Sequence, residues 1–134
     1  MYTKILVAVN DNERAFKALG YAVEMSEKLE AQLFVLFVHK DNKVEGDRKN
    51  AIFAAEVNKI KEKIRKQYPH LPERAQLIMR DGKNIASIIV SVAQEIDSDL
   101  IVLGSRRLSG ANSVIRRSVA NAVISGSVKP VLII

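Results

Sequence analysis

The chain of 134 residues contains no cysteine and no tryptophan, and aromatic residues make up only 5% of it. The lack of cysteine excludes disulfides, thiolate metal ligands and thiol nucleophiles, and it fits a reducing compartment. No apolar run approaches the ~18 residues of a membrane-spanning helix. Met1-Tyr-Thr-Lys4 leads directly into an apolar strand and does not resemble a signal peptide. We therefore expect a cytoplasmic protein with no membrane partner.

Acidic residues are missing from the last quarter of the sequence. The first 100 residues hold all 15 acidic side chains and 16 of the 21 basic ones, so this quarter supplies +5 of the net charge of +6. A general nucleic-acid binder would be expected to spread its basic residues over a broad face and to offer aromatic rings for base stacking. The pattern therefore favours a small anionic ligand over nucleic acid, which remains an alternative. The basic residues of this quarter are Arg106, Arg107, Arg116, Arg117 and Lys129.

The hydrophobic pattern predicts one domain, over residues 1–134, in which strands and helices alternate. Short apolar runs predict buried strands over 4–9, 32–39, 100–103 and 130–134, and a weaker run predicts one over 74–80. Apolar residues at helical spacing predict helices over 13–29, 48–67, 85–96 and 112–125. Asn84 is expected to cap the third helix, and Pro69 to follow the end of the second. The order is therefore β-α-β-α-β-α-β-α-β.

This order predicts an α/β fold with a single doubly wound, five-stranded parallel sheet, strand order 3-2-1-4-5 and helices on both faces. The strand order reverses between the first and fourth strands, and open α/β sheets bind ligands at such a reversal, outside the carboxyl ends of the strands. Residues 8–12 and 104–118 should then face one another across a crevice, with Val38 and His39 as a neighbouring wall. Leu103 and Gly104 lead into a helix whose N-terminal N–H groups would attract an anion.

Three segments carry a resemblance to a known family, which covers essentially the whole chain. Lys4-Ile-Leu-Val-Ala-Val-Asn10 is similar to the first strand of universal stress proteins, Asp99-Leu-Ile-Val-Leu-Gly104-Ser to their fourth, and Lys129-Pro-Val-Leu-Ile-Ile134 to their closing strand. In the nucleotide-binding members a loop of Gly, two residues, Gly, nine residues, Gly and Ser or Thr lets backbone N–H groups reach the phosphates of ATP. An acidic residue after the first strand helps to hold the adenosine.

The match to that loop is partial. Gly104 matches the first glycine and Ser118 the terminal hydroxyl, whereas Arg107 and Arg117 stand at the other two glycine positions. Asn10 stands at the acidic position, with Asp11 beside it. Arginine lacks the backbone freedom of glycine but offers a bidentate donor to phosphate or carboxylate. A blocked ATP pocket and a site retuned to another anion therefore both remain open.

The resemblance implies a non-catalytic stress-response protein that binds ATP, a related adenine nucleotide or another anion in this crevice. Each polar candidate also has a structural interpretation: Gly104 as a turn glycine, Ser118 as a hydrogen-bond donor within a helix, and Asn10 or Asp11 as a helix cap. No nucleophile with an adjacent base is evident, which leaves at most slow ATP hydrolysis. The candidate site residues are Ala8, Asn10, Asp11, Val38, Leu103, Gly104, Arg106, Arg107, Arg117, Ser118 and Val119.

The closing strand predicts a partner. Val131-Leu-Ile-Ile134 lies at an edge of the predicted sheet, and an apolar edge strand is prone to pair with another chain. Universal stress proteins commonly dimerise through this strand. The resemblance therefore implies a homodimer that signals to other proteins. Two alternatives remain: a strand covered by the protein's own helices, and a scaffold that binds no nucleotide and acts only through protein partners.

Overall fold

The computed structural model describes residues 3–10, 13–40, 46–71, 75–105 and 118–134, without the side chains of Lys40 and Ser118. Within these residues the elements alternate as predicted. The strands are β1 (Lys4–Val9), β2 (Gln32–Lys40), β3 (Ala75–Gly82), β4 (Leu100–Leu103) and β5 (Val131–Ile133). The helices are α1 (Glu13–Lys28), α2 (Asp47–Gln67), α3 (Ile85–Ile96) and α4 (Ser118–Gly126).

The five strands form one parallel sheet in the order β3-β2-β1-β4-β5, which confirms the prediction. The central strand β1 pairs with β2 along its whole length, from Lys4 to Val9. It pairs with β4 only from Ile5 to Val7. The two strands at which the order reverses therefore part before either one ends, and a crevice opens at their carboxyl ends.

Each face of the sheet carries its own apolar core. Alternate residues of β1 such as Ile5 and Val7 pack with α1 and α2 on one face. Leu6, between them, packs with α3 and α4 on the other. Because both faces are covered, β1, β2 and β4 are almost continuously apolar, which is the feature that made them recognisable in the sequence.

The largest difference between the predicted and observed boundaries of the strands is at the end of β3. Strand β3 continues through Asp81 and Gly82, which were expected to form a turn, because both pair with the end of β2. The predicted N-cap of α3 is confirmed, since the Asn84 side chain accepts a hydrogen bond from the Ser87 backbone N–H at 3.0 Å. The portion of the last predicted helix before Ser118 lies outside the described residues. None of the helices in the described residues is long and apolar enough to span a membrane.

The amino ends of β1 and β4 are joined by side-chain hydrogen bonds. Oδ2 of Asp99 accepts from the backbone N–H of Thr3 at 2.8 Å, from that of Lys4 at 2.9 Å and from the Thr3 hydroxyl at 2.9 Å. These donors, the backbone N–H groups first, hold the pKa of Asp99 below its ordinary value. The Lys4 ammonium donates to the carbonyl oxygen of Ile96, at the end of α3. The polar groups of Thr3, Lys4 and Asp99 thus have partners within the chain at this end of the sheet.

Candidate functional site

A cavity of about 290 Å³ lies at the carboxyl ends of β1 and β4, where these strands part. Asn10, after β1, and Gly104, after β4, both line it, so the two segments expected to face one another do so in their described parts. Helices α1, α3 and α4 complete the walls. The full lining is Ala8, Val9, Asn10, Ala15, Val38, Ile85, Ile89, Leu103, Gly104, Ser105, Val119, Ala120, Asn121, Ile124 and Ile133.

The walls of this cavity are apolar and its polar groups are few. Ala8, Val38 and Leu103 come from the sheet face that packs against α3 and α4, so their side chains continue that core up to the cavity. Asn10, Ser105 and Asn121 supply the polar side chains of the described lining. This arrangement suits a ligand with a flat apolar body and polar edges, since apolar walls bind by contact and a few polar groups fix orientation.

Gly104 allows β4 to approach the first turn of α1 closely. A methyl group at this position would lie 2.6 Å from the carbonyl oxygen of Arg14 and 2.9 Å from the backbone nitrogen of Ala15. Among the described glycines it is Gly46, not Gly104, that has a positive φ. A side chain at Gly104 is therefore excluded by the backbone of α1, which explains the glycine independently of any ligand.

Arg14 contacts a residue of the cavity lining and was not among the predicted residues. Its Nη1 atom donates to the hydroxyl oxygen of Ser105 at 3.4 Å, and Ser105 lines the cavity. The sequence did contain a signal for it. Arg14 falls in the first turn of the helix that follows β1, and such a turn starts at the carboxyl edge of a parallel sheet.

The structure brings together six of the predicted site residues: Ala8, Asn10, Val38, Leu103, Gly104 and Val119 all line the cavity. Asp11, Arg106, Arg107, Arg116 and Arg117 lie outside the described residues, as does the side chain of Ser118 at the start of α4. The lining residues that the sequence did not predict belong mainly to helices, and they include Ala15, Ile85, Ile89, Asn121 and Ile124.

His39 does not form a wall of the cavity beside Val38. Successive side chains of a strand point to opposite faces, so His39 lies under α2, on the other side of the sheet. It is 4% exposed, its Nδ1 lies 2.5 Å from Oε2 of Glu56, and its ring meets the Phe53 ring edge-on at 5.3 Å between centroids. The expected wall therefore consists of Val38 alone.

A parallel sheet with a cavity where its strand order reverses defines a class, the doubly wound α/β proteins. The comparison with known families is more specific. The model of the universal stress protein family matches residues 1–134, so the chain belongs to that family. It is 29% identical over 148 residues to the universal stress protein YxiE of Bacillus subtilis, and the match covers 100% of this chain and 99% of that protein.

Solved structures share the fold at lower sequence identity. The universal stress protein UspA from Lactobacillus plantarum superposes with a TM-score of 0.81 at 24% identity, covering 99% of this chain and 97% of that one. A universal stress protein crystallised in complex with cAMP superposes with a TM-score of 0.78 at 19% identity, with the same coverage. These likenesses extend over the whole domain, including the strands that form the cavity.

Proposed function

We propose that this protein binds an adenine mononucleotide in the cavity between β1 and β4 and acts without catalysis. The observation that carries the proposal is the arrangement of the cavity. Its walls are apolar, and Asn10 and Ser105 place polar groups at the carboxyl ends of the two strands that part. An adenine ring offers two apolar faces to such walls and a polar edge to such groups.

The size of the cavity favours a mononucleotide. Small-molecule sites have volumes of roughly 300–1,000 Å³, and the 290 Å³ found here lies just below that range. This space suits a base with part of its sugar and leaves the phosphate at the mouth. A related protein of the same fold was crystallised with cAMP, which supports this class of ligand.

Asn10 is compatible with an anionic ligand. The family resemblance places an acidic residue here, and an amide keeps the acceptor oxygen while it adds N–H donors and removes a negative charge. The position still offers hydrogen bonds to a sugar or a base, without repelling a phosphate nearby. The exchange of Asp for Asn is therefore consistent with nucleotide binding.

Isothermal titration calorimetry with AMP, cAMP, ATP and GMP tests this proposal. The wild-type protein should bind the adenine nucleotides and bind GMP more weakly. The substitution Ala8→Leu should weaken binding of AMP at least tenfold, because three added carbon atoms occupy the cavity. Ala54→Leu, the same change on the exposed side of α2, is the control and should leave the affinity unchanged.

Two results would contradict the proposal. The first is a folded wild-type protein that binds none of the nucleotides, which would favour the scaffold alternative. The second is an Ala8→Leu variant with wild-type affinity, which would place the ligand elsewhere.

We also propose that the protein forms a homodimer through β5 and works in the cytoplasm. Strand β5 is at the edge of the sheet, and Val131, Leu132 and Ile133 are each only partly buried within the single chain. The adjoining Val128 is 86% exposed. An apolar edge of this kind is covered when a second copy pairs with it. The molar mass in solution, from light scattering, should be twice that of the chain.

A further inference from the structure

We propose that Arg14 binds the phosphate of the ligand, so that the site selects a phosphorylated nucleoside over the free nucleoside. This inference rests on the proposed function and names the residue that would recognise the phosphate of the nucleotide. It concerns a residue of α1 and is independent of the glycine-loop pattern considered in the sequence.

The backbone of Arg14 is held at the cavity by packing. Its carbonyl group lies against Gly104 so closely that no side chain fits there, and the next residue, Ala15, lines the cavity. The first turn of α1 is therefore in direct contact with the end of β4. A residue on this turn has a defined position relative to a bound ligand.

The side chain of Arg14 extends to a residue of the cavity lining. Its Nη1 atom donates to Ser105 Oγ, and Ser105 is one of the polar residues of the lining. At 3.4 Å this hydrogen bond is long and therefore weak. A phosphate oxygen would be a stronger acceptor for the guanidinium than a neutral hydroxyl, because the bond is then charge-assisted and can be bidentate.

A cation near the cavity would complement the phosphate of a nucleotide. The described residues that line the cavity are all uncharged, so they offer no full positive charge to a phosphate. Arg14 is half-buried, which screens its charge less than that of an exposed arginine. The N-terminal end of α1 adds a partial positive charge on the same side. The exposed carboxylate of Glu13 opposes it but is more fully solvated.

The test compares AMP with adenosine in titration calorimetry, using the full-length protein. The variant Arg14→Gln removes the charge and keeps side-chain N–H donors. We expect it to weaken AMP binding about tenfold, the size of one charge-assisted hydrogen bond, and to leave adenosine binding within about twofold. Lys17→Gln, the same loss of charge on an exposed position of α1, is the control and should leave both affinities close to wild type.

Salt dependence and a second variant give independent readouts. The ratio of AMP affinity to adenosine affinity should fall with added salt in the wild type and much less in Arg14→Gln. Arg14→Lys keeps the charge and loses the planar fork, so its ratio should be intermediate.

The other outcomes separate this inference from the proposed function. If Arg14→Gln keeps the wild-type preference for AMP, the phosphate is bound elsewhere and the inference is wrong while the nucleotide site stands. If Arg14→Gln weakens adenosine and AMP equally, Arg14 acts only by positioning Ser105, and the inference is again wrong. If the wild type binds adenosine and AMP equally, Arg14 contributes no selectivity. If it binds neither, both proposals fail together.

Discussion

The two ends of the β1–β4 pair differ in how closely the strands are held together. At the amino end, Asp99 accepts three hydrogen bonds from Thr3 and Lys4, so the chain itself provides the partners. At the carboxyl end the same strands part after Val7 and Val102, and Asn10 and Ser105 line a cavity. The strands are held together at the amino end and lie apart at the carboxyl end.

The amino end of the pair bears on stability alone, whereas the carboxyl end bears on both packing and the cavity. A parallel pair leaves backbone groups at both of its ends, and these groups need partners. Partners supplied by the chain fix the strands relative to each other. At the carboxyl end the Ser105 N–H and hydroxyl are also paired within the chain, with Ile134 and Arg14, but the strands have parted there and a cavity lies between them. Open α/β sheets bind ligands at this edge. Variants at the amino end should therefore affect stability alone, whereas variants at the carboxyl end should affect the cavity as well.

Gly104→Ala should have the largest effect on stability, because it disrupts the packing against α1 at the carboxyl end. The new methyl group would lie 2.6 Å from the carbonyl oxygen of Arg14, and a backbone group in a helix cannot move aside easily. Overpacking of this kind costs about 3 kcal/mol of the free energy of unfolding. Urea unfolding followed by circular dichroism measures it. Because Gly104 and Ala15 both line the cavity, binding of AMP should be lost as well.

Gly126→Ala is the matched control for this substitution. A methyl group at Gly126, in α4, would lie 3.5 Å from Cγ2 of Val90, which is an ordinary contact. The control should be neutral or stabilise the protein by up to about 1 kcal/mol, since alanine favours a helix over glycine. Equal effects of the two substitutions would contradict the close approach of β4 to α1.

Asp99→Asn is expected to act on stability through the amino end, with no effect on ligand binding. The backbone N–H groups of Thr3 and Lys4 hold the pKa of Asp99 below its ordinary value, so the folded state favours the carboxylate. The stabilisation is complete above the pKa of an unfolded aspartate, about 4. It is lost as the pH falls through the lower pKa of the folded state.

Urea midpoints measured from pH 7 down to pH 3 test this expectation. The wild type should unfold at higher urea than Asp99→Asn at pH 7, and the difference should shrink as the solution becomes acidic. Asp97→Asn, at a neighbouring carboxylate that is 81% exposed and paired with Lys129, is the control. Exposed ion pairs contribute little, so its midpoint should follow that of the wild type. A difference for Asp99→Asn that persists unchanged at pH 3 would contradict the role of the carboxylate charge.

The sequence was sufficient to predict the topology of the sheet and six of the fifteen described residues that line the cavity. Buried parallel strands are continuously apolar, so β1 and β4 could be recognised, and their order placed Asn10 opposite Gly104. The extension of β3 through Gly82 could not be predicted, because it depends on pairing with β2. Ile85 and Asn121 were missed for a similar reason. Which helical residues reach the cavity depends on how α3 and α4 pack on the sheet, and periodicity does not encode that rotation.

Ser98→Ala should have the smallest effect on stability. It tests whether the Ser98 hydroxyl contributes to the amino end. Ser98 is fully buried, and its Oγ has no hydrogen-bond partner among the described residues, although its backbone N–H donates to the carbonyl of Ala93 at 3.0 Å. Alanine keeps the backbone bond and removes an unpaired hydroxyl, so urea unfolding should show a neutral effect or a gain of up to about 1 kcal/mol. Ser98→Thr adds a methyl group at the same buried position and should instead cost about 1–3 kcal/mol. A clear loss of stability in Ser98→Ala would mean that the hydroxyl is hydrogen-bonded after all, and that the amino end depends on Ser98 as well as on Asp99.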